Sequence, residues 1–420
     1  MLPEPAASVG SSFNCATRND RNETIWNLQL LRAVAATGVV FYHCGFQLGG
    51  QVISTELQGV AIFFVITGFL MPRVSAHGAL AFIGARVSRV MPAYWFATVV
   101  VMWFSTTSAR TSGLIVLALA LASLMFLPSL AFKSRRLVSA LVVTVAVVGT
   151  VIVAIDYFVH PEFYPPFRRV AESALLIPVS DGAGQRTFPI LAVGWTLIYE
   201  MYFYVVYFVA MLMAGQLAPL VAGSLVILVK LYVGYSGRAD GFCAWFGHEY
   251  VDYFCWGLCL NFAYDFWILQ ESRRSFFAAV ALISAALALM YAVNFDQRLM
   301  RQTLGFSGLA SLATYVTPVV VVLAALKAES AGLSVKNKVV MTIGSASFMI
   351  YLLHQGVVLS GIARSSREFP SIAVLQINTP LGCPIAIAVS IVIGVFVHQY
   401  LEAPCNRKLR MVWGLPSRPL

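Results

Sequence analysis

Residues 27–48 read NLQLLRAVAATGVVFYHCGFQL, an apolar run long enough to cross a bilayer that nonetheless carries a guanidinium at Arg32 and an imidazole at His43. About 20 mostly apolar residues span the hydrocarbon layer, and an ionisable side chain within such a run is costly enough to count as a functional candidate. At 100° per residue, the eleven steps from Arg32 to His43 bring the two side chains within about 20° of each other on the helix. They stand about 16.5 Å apart along its axis. With Arg32 at the cytoplasmic boundary, His43 lies near the middle of the layer.

The rest of the chain follows the same pattern. Of its 420 residues 59% are hydrophobic and 11% charged, where a soluble domain carries about 25% charged residues. A water-soluble fold would have almost no polar surface to present, so the fold class is all-α, a polytopic integral membrane bundle. Twelve stretches qualify as spans, roughly 27–48, 57–75, 91–108, 112–132, 137–158, 194–213, 217–234, 251–269, 275–294, 303–326, 339–361 and 383–402. If 112–132 and 137–158 form a hairpin that does not fully cross, the count is ten. Either number leaves both termini on one side. Placing them in the cytoplasm puts eighteen Lys and Arg inside and nine outside, with Lys230 within a span, as the positive-inside bias favours. Residues 1–24 then read as a cytoplasmic tail, 25–410 as one transmembrane domain and 411–420 as a second cytoplasmic tail. The stretch 159–193, rich in proline, reads as an external loop with one short helix.

The net charge of +10 is scattered in twos and threes between apolar runs. No basic stripe with interleaved aromatics occurs, which argues against a nucleic-acid partner. Seven cysteines, an odd number with no C-x-x-C pair, indicate neither a disulfide framework nor a zinc site, and no metal is expected.

Chemistry concentrates at a few positions. His43 is suited to act as general base at neutral pH, taking a hydroxyl's proton as its oxygen attacks a thioester. His354, in Tyr351-Leu352-Leu353-His354, is the rival base, and Tyr351 shares its helix face. Arg86 and Arg89 are spaced to put two guanidinium groups on one face of a cytoplasmic turn before the third span. There they can clamp phosphate, and coenzyme A carries three. Glu200, buried among aromatics after Gly194-Trp195-Thr196, needs a partner. It can orient His43, bond a sugar hydroxyl or pair with Lys230. Gly59 and Gly68 allow close helix approach, and the Thr67 hydroxyl can bond across helices. His398 lies in an apolar span with no evident polar companion and reads as structural.

Taken together these runs resemble the family 3 membrane acyltransferases, which O-acylate bacterial surface and secreted polysaccharides. The ordered matches are Arg32 with His43, Phe63-Phe64-x-x-Thr67-Gly68-Phe69, Arg86-x-x-Arg89, Trp195-Thr196-Leu197-x-x-Glu200, Tyr351-x-x-His354 and Tyr400-Leu401-Glu402-Ala403-Pro404. Thr67 and Thr196 stand where the family usually has serine and keep the hydroxyl. The openings Asn27–Arg32 and Leu57–Ala61 are most similar to the exopolysaccharide acetyltransferase branch.

The resemblance implies a multi-pass protein of the bacterial inner membrane that moves an acyl group, acetyl by default, from acyl-CoA to a polysaccharide or lipid-linked sugar. It makes His43 the essential histidine, with Glu200 positioning it or the acceptor. Arg32, Arg86 and Arg89 would serve the acyl-CoA donor. Trp195, Thr196, Tyr351 and His354 would face substrate. A competing class is a transporter or flippase that uses His43, Glu200, Lys230 and His354 as a relay, although no paired halves with broken helices are evident.

Overall fold

The computed structural model describes residues 25–48, 51–52, 58–75, 77–106, 144, 158–159, 165–181, 184–238, 241–264, 273–295, 307–368 and 376–414. The expected tail 1–24, the stretches 112–132 and 137–158 apart from isolated residues, and positions 415–420 lie outside them.

Where the chain is described it is overwhelmingly helical. It runs through α1 (Trp26–Cys44), α2 (Gly59–Val74), α3 (Ala79–Thr106) and a short α4 (Phe167–Ala174). α5 (Trp195–Ala214), α6 (Ala218–Ser236), α7 (Gly241–Phe246) and α8 (Tyr250–Ala263) follow. The last group is α9 (Arg273–Phe295), α10 (Ser307–Ser330), α11 (Lys338–Leu353), α12 (Ser360–Glu368), α13 (Gly382–Val397) and α14 (Ala403–Val412). Helices therefore coincide with ten of the twelve apolar stretches. Among the described residues four helical segments are long and apolar enough to cross a membrane: Ala192–Ser236, Leu312–Ser330, Lys338–Ala363 and Gly382–Val412. Gly59–Val74 and Ser275–Met290 are shorter apolar helices. The chain is a helical membrane protein.

One boundary differs from expectation. Apolar content starts the third span at residue 91 and leaves Arg86 and Arg89 in a loop, but α3 begins at Ala79 and carries both. Ala, Leu, Arg and Met supply seven of residues 79–91, and Pro92 removes a single backbone bond without ending the helix. Among its described residues the stretch 159–193 contains the short helix α4, together with the antiparallel pair Val179–Ser180 and Arg186–Thr187. A second two-residue pair, Gln47–Leu48 with Gln51–Val52, follows α1.

Close crossings hold the bundle together. A Cβ at Gly68 would stand 2.2 Å from the Phe254 carbonyl oxygen, and one at Gly257 would stand 2.2 Å from that of Val65. Only glycine lets α2 and α8 approach so closely, which maximises dispersion contact where no hydrophobic drive separates helix from lipid. Asn261 Nδ2 closes the same crossing by donating to the Phe69 carbonyl at 2.9 Å.

The start of α1 is pinned electrostatically. The Glu329 carboxylate accepts from the Trp26 and Asn27 backbone amides at 2.9 and 2.7 Å, an anion on the positive end of the helix dipole. The Asn27 amide reaches the Leu333 carbonyl at 2.9 Å and accepts from the Val335 amide at 3.0 Å. These bonds fix the height of α1, and with it the levels of Arg32 and His43. At the other face the Tyr94 hydroxyl donates to the Ser173 carbonyl at 2.9 Å, and Trp95 Nε1 to that of Ala174 at 2.8 Å. α4 is thereby strapped to α3, close to the turn Ala192–Gly194 that opens α5.

Candidate active site

Two cavities that share part of their walls lie within the bundle. The inner one, about 90 Å³, is lined by Arg32, Thr67, Arg86, Arg89, Thr196, Glu200, Tyr204, Ser347 and Tyr351 together with apolar residues of α2. The outer vestibule, about 300 Å³, is lined by Arg32, Arg86, Arg89, His398, Glu402, Arg407 and Arg410 among others. Arg32, Leu70, Arg86 and Arg89 belong to both walls, so the three guanidinium groups form the neck between them.

That neck is strongly positive. Glu200 accepts a short hydrogen bond from the Tyr204 hydroxyl one turn along α5. The Arg86 guanidinium lies 6.0 Å from the centre of the Tyr204 ring. Arg89, Glu402 and Glu200 are the charged neighbours of Arg32. Glu200 thus sits with the arginines rather than beside His43, and Lys230 is engaged elsewhere, by Asp252. Three buried polar atoms of residues on the cavity walls, Gln29 Oε1, Arg86 Nε and Ser347 Oγ, have no hydrogen-bond partner within the described chain. Unsatisfied groups buried in a wall that faces a cavity fit a polar occupant, and the guanidinium groups beside them favour an anionic one.

Above the inner cavity stands a pair of histidines. Tyr351 lines the cavity, and its ring centre lies 5.8 Å from that of His354. His354 is fully buried and its Nε2 lies 3.1 Å from His43 Nδ1. His354 Nδ1 lies 2.6 Å from the Tyr351 carbonyl oxygen, and His43 Nδ1 lies 3.0 Å from that of Val39. Carbonyl oxygens only accept, so each Nδ1 carries the proton. His354 Nε2 is then an acceptor for His43 Nδ1–H, and His43 Nε2 is left bare as the basic nitrogen of the pair. His354 opens a π-helical segment, His354–Leu359. Such a bulge in a long helix frequently marks a functional site.

The remaining expected residues divide between the two faces of this arrangement. Thr196 and Tyr351 join across helices, the Thr196 hydroxyl lying 3.0 Å from that of Tyr351, which donates to the Val193 carbonyl at 2.8 Å. Thr67 lines the inner cavity. Trp195 turns away into an aromatic cluster with Tyr250 at 5.0 Å and Tyr199 at 5.9 Å. The Tyr199 hydroxyl accepts from Arg186 at 2.8 Å. His248, in the turn before α8, stacks on Tyr250 at 4.6 Å. Burial first, then Arg186 and Lys230, push its imidazole down to about 4, so it is neutral at physiological pH.

Sequence reading missed one pair. His398 is not alone: its Nδ1 meets Glu402 Oε2 at 2.7 Å within a second π segment, His398–Glu402. The spacing of four residues was the available signal. It was masked because Glu402 falls in the run that closes the last span. Arg407 and Arg410 were likewise read as orienting charges, yet both line the vestibule.

Comparison with known proteins bears on this arrangement. The chain is 23% identical over 384 residues to the exopolysaccharide production protein ExoZ of Rhizobium meliloti (strain 1021), an alignment covering 88% of this chain and 96% of that one. No solved structure matches it. The model of an acyltransferase domain matches residues 25–398, a range that takes in both histidines of the pair and all three arginines of the neck. The chain belongs to acyltransferase family 3.

Proposed function

We propose that the protein transfers an acyl group, acetyl by default and succinyl as the alternative, from acyl-CoA to a hydroxyl of an exported polysaccharide or its lipid-linked precursor. The observation that carries this reading is the positive neck of Arg32, Arg86 and Arg89 leading to a cavity roofed by Tyr351, with the histidine pair beyond. The polysaccharide acceptor is supported by the similarity to an exopolysaccharide production protein. The protein sits in a bacterial inner membrane with twelve spans and both termini in the cytoplasm, so that the arginine vestibule opens to cytoplasmic thioester.

In the proposed step the acceptor hydroxyl oxygen attacks the thioester carbonyl as His43 Nε2 removes its proton. The C–S bond breaks, the new ester forms, and the departing thiolate takes the proton to leave as free CoA. His354 is a positioning residue: its Nε2 holds His43 Nδ1–H and stabilises the imidazolium that forms in passing, the role of an orienting partner in a catalytic triad. Arg32, Arg86 and Arg89 hold the phosphates of the donor. Glu200 keeps the neck from repelling itself and aligns Tyr204 beneath Arg86.

The test is label transfer from radioactive acetyl-CoA to glycan in membranes carrying wild type or His43→Ala. The expected result is transfer by wild type and a loss of at least about 100-fold in the variant, the scale of a general base. Transfer that survives in His43→Ala, or glycan movement without acylation, would sink the proposal.

A further inference from the structure

The vestibule has a second arginine pair that the family match does not reach. Arg407 and Arg410 lie three residues apart on α14, beyond residue 398 where that match ends. That spacing puts both on one helix face, as it does for Arg86 and Arg89 on α3. Both pairs line the same vestibule. The two helices are held together at this level: Trp413 Nε1 donates to Ser88 Oγ at 3.0 Å, and the Trp413 ring lies so close over Gly84 that a Cβ there would stand 2.4 Å from it. Glu402, which meets His398 and is a charged neighbour of Arg32, lines the vestibule as well. Exposed Met411 and Val412, further along α14, do not line the vestibule.

The pairs differ in depth. Arg86 and Arg89 line both cavities, whereas Arg407 and Arg410 line the vestibule alone. A donor whose thioester reaches the inner cavity leaves its diphosphate at the neck and its ribose phosphate further out. We propose that Arg407 and Arg410 form a terminal phosphate subsite that takes the 3′-phosphate of the donor's nucleotide, an inference that rests on acyl-CoA being the donor. Phosphate in the same place could also come from a lipid headgroup. The nucleotide is favoured because the pair lines the same vestibule as three other guanidinium groups.

The experiment compares KM for acetyl-CoA and acetyl-3′-dephospho-CoA in purified protein reconstituted into vesicles, once with zwitterionic lipid and once with anionic lipid added. Wild type should favour acetyl-CoA by tenfold or more, the worth of one charge-assisted phosphate contact. Arg407→Ala with Arg410→Ala should erase that preference by raising KM for acetyl-CoA alone. An unchanged KM for the dephospho donor certifies that the double variant is folded. Lys408→Ala, an exposed neighbour on the same helix, should keep the wild-type ratio. The inference is overturned if the double variant retains the preference. It is equally overturned if both donors suffer alike, or only in anionic vesicles, which would mark the pair as a lipid contact. Wild type that transfers nothing from acetyl-CoA would remove the donor assignment and this inference together, whereas an active wild type indifferent to the 3′-phosphate removes this inference alone.

Discussion

A neutral imidazole acts as a base through whichever nitrogen is bare, and the Val39 carbonyl facing His43 Nδ1 fixes which one that is, with His354 Nε2 as a second acceptor for the same N–H. Replacing His354 with phenylalanine keeps a ring of similar size but removes the second acceptor of His43 Nδ1–H and with it the group that stabilises the passing imidazolium, so kcat is expected to fall roughly 100-fold or more. Glutamine, whose side-chain oxygen can accept the same hydrogen bond, is expected to recover part of that loss. Steady-state kinetics on both variants checks this: equal losses would mean that His354 only fills space. Arg32 and His43 were legible in the sequence because each is an ionisable group inside an apolar run. His354 was legible as well, but its pairing with His43 was not. Spacing places Tyr351 and His354 on one face, but nothing local reveals that the face meets α1, since the residues in contact are 311 positions apart.

At the level of the element, α1 is positioned from its first turn. Glu329 supplies both acceptors for the amides of Trp26 and Asn27, and the helix lacks any acidic residue of its own there. Glu329→Ala strands two helix-terminal donors and removes an anion from the dipole, a loss of about 2–4 kcal/mol at the scale of charge-assisted bonds. A lowered thermal midpoint in detergent, measured beside Glu329→Gln as the milder variant, checks it; an unchanged midpoint would show that the carboxylate does not hold the helix. Hydropathy found the bodies of the helices well because each must bury or face lipid with apolar side chains. It failed at the start of α3, where polar residues that line a vestibule continue the helix past the point at which hydrophobicity gives out. It was also blind to the π segments at His354 and His398, which change the bonding of the backbone without changing the composition of the side chains.

Across the whole molecule, charge runs along one path. Guanidinium groups from α1, α3 and α14 gather around the vestibule and its neck. Sequence order scatters these residues over 379 positions from Arg32 to Arg410, so the count of basic residues gave topology but not convergence. The transporter reading requires His43, Glu200, Lys230 and His354 to act in series. Instead Glu200 stands with the arginines, Lys230 pairs with Asp252, and only the two histidines meet. The central claim is that donor binding and proton transfer lie at opposite ends of this single path. It is tested most directly by steady-state constants for acetyl-CoA in Arg86→Ala and His43→Ala, measured in the same vesicles. Arg86→Ala is expected to raise KM about tenfold with kcat within a factor of about two, and His43→Ala to collapse kcat at a KM close to that of wild type. An unchanged KM with a collapsed kcat in Arg86→Ala, or an undiminished kcat in His43→Ala, would contradict the account.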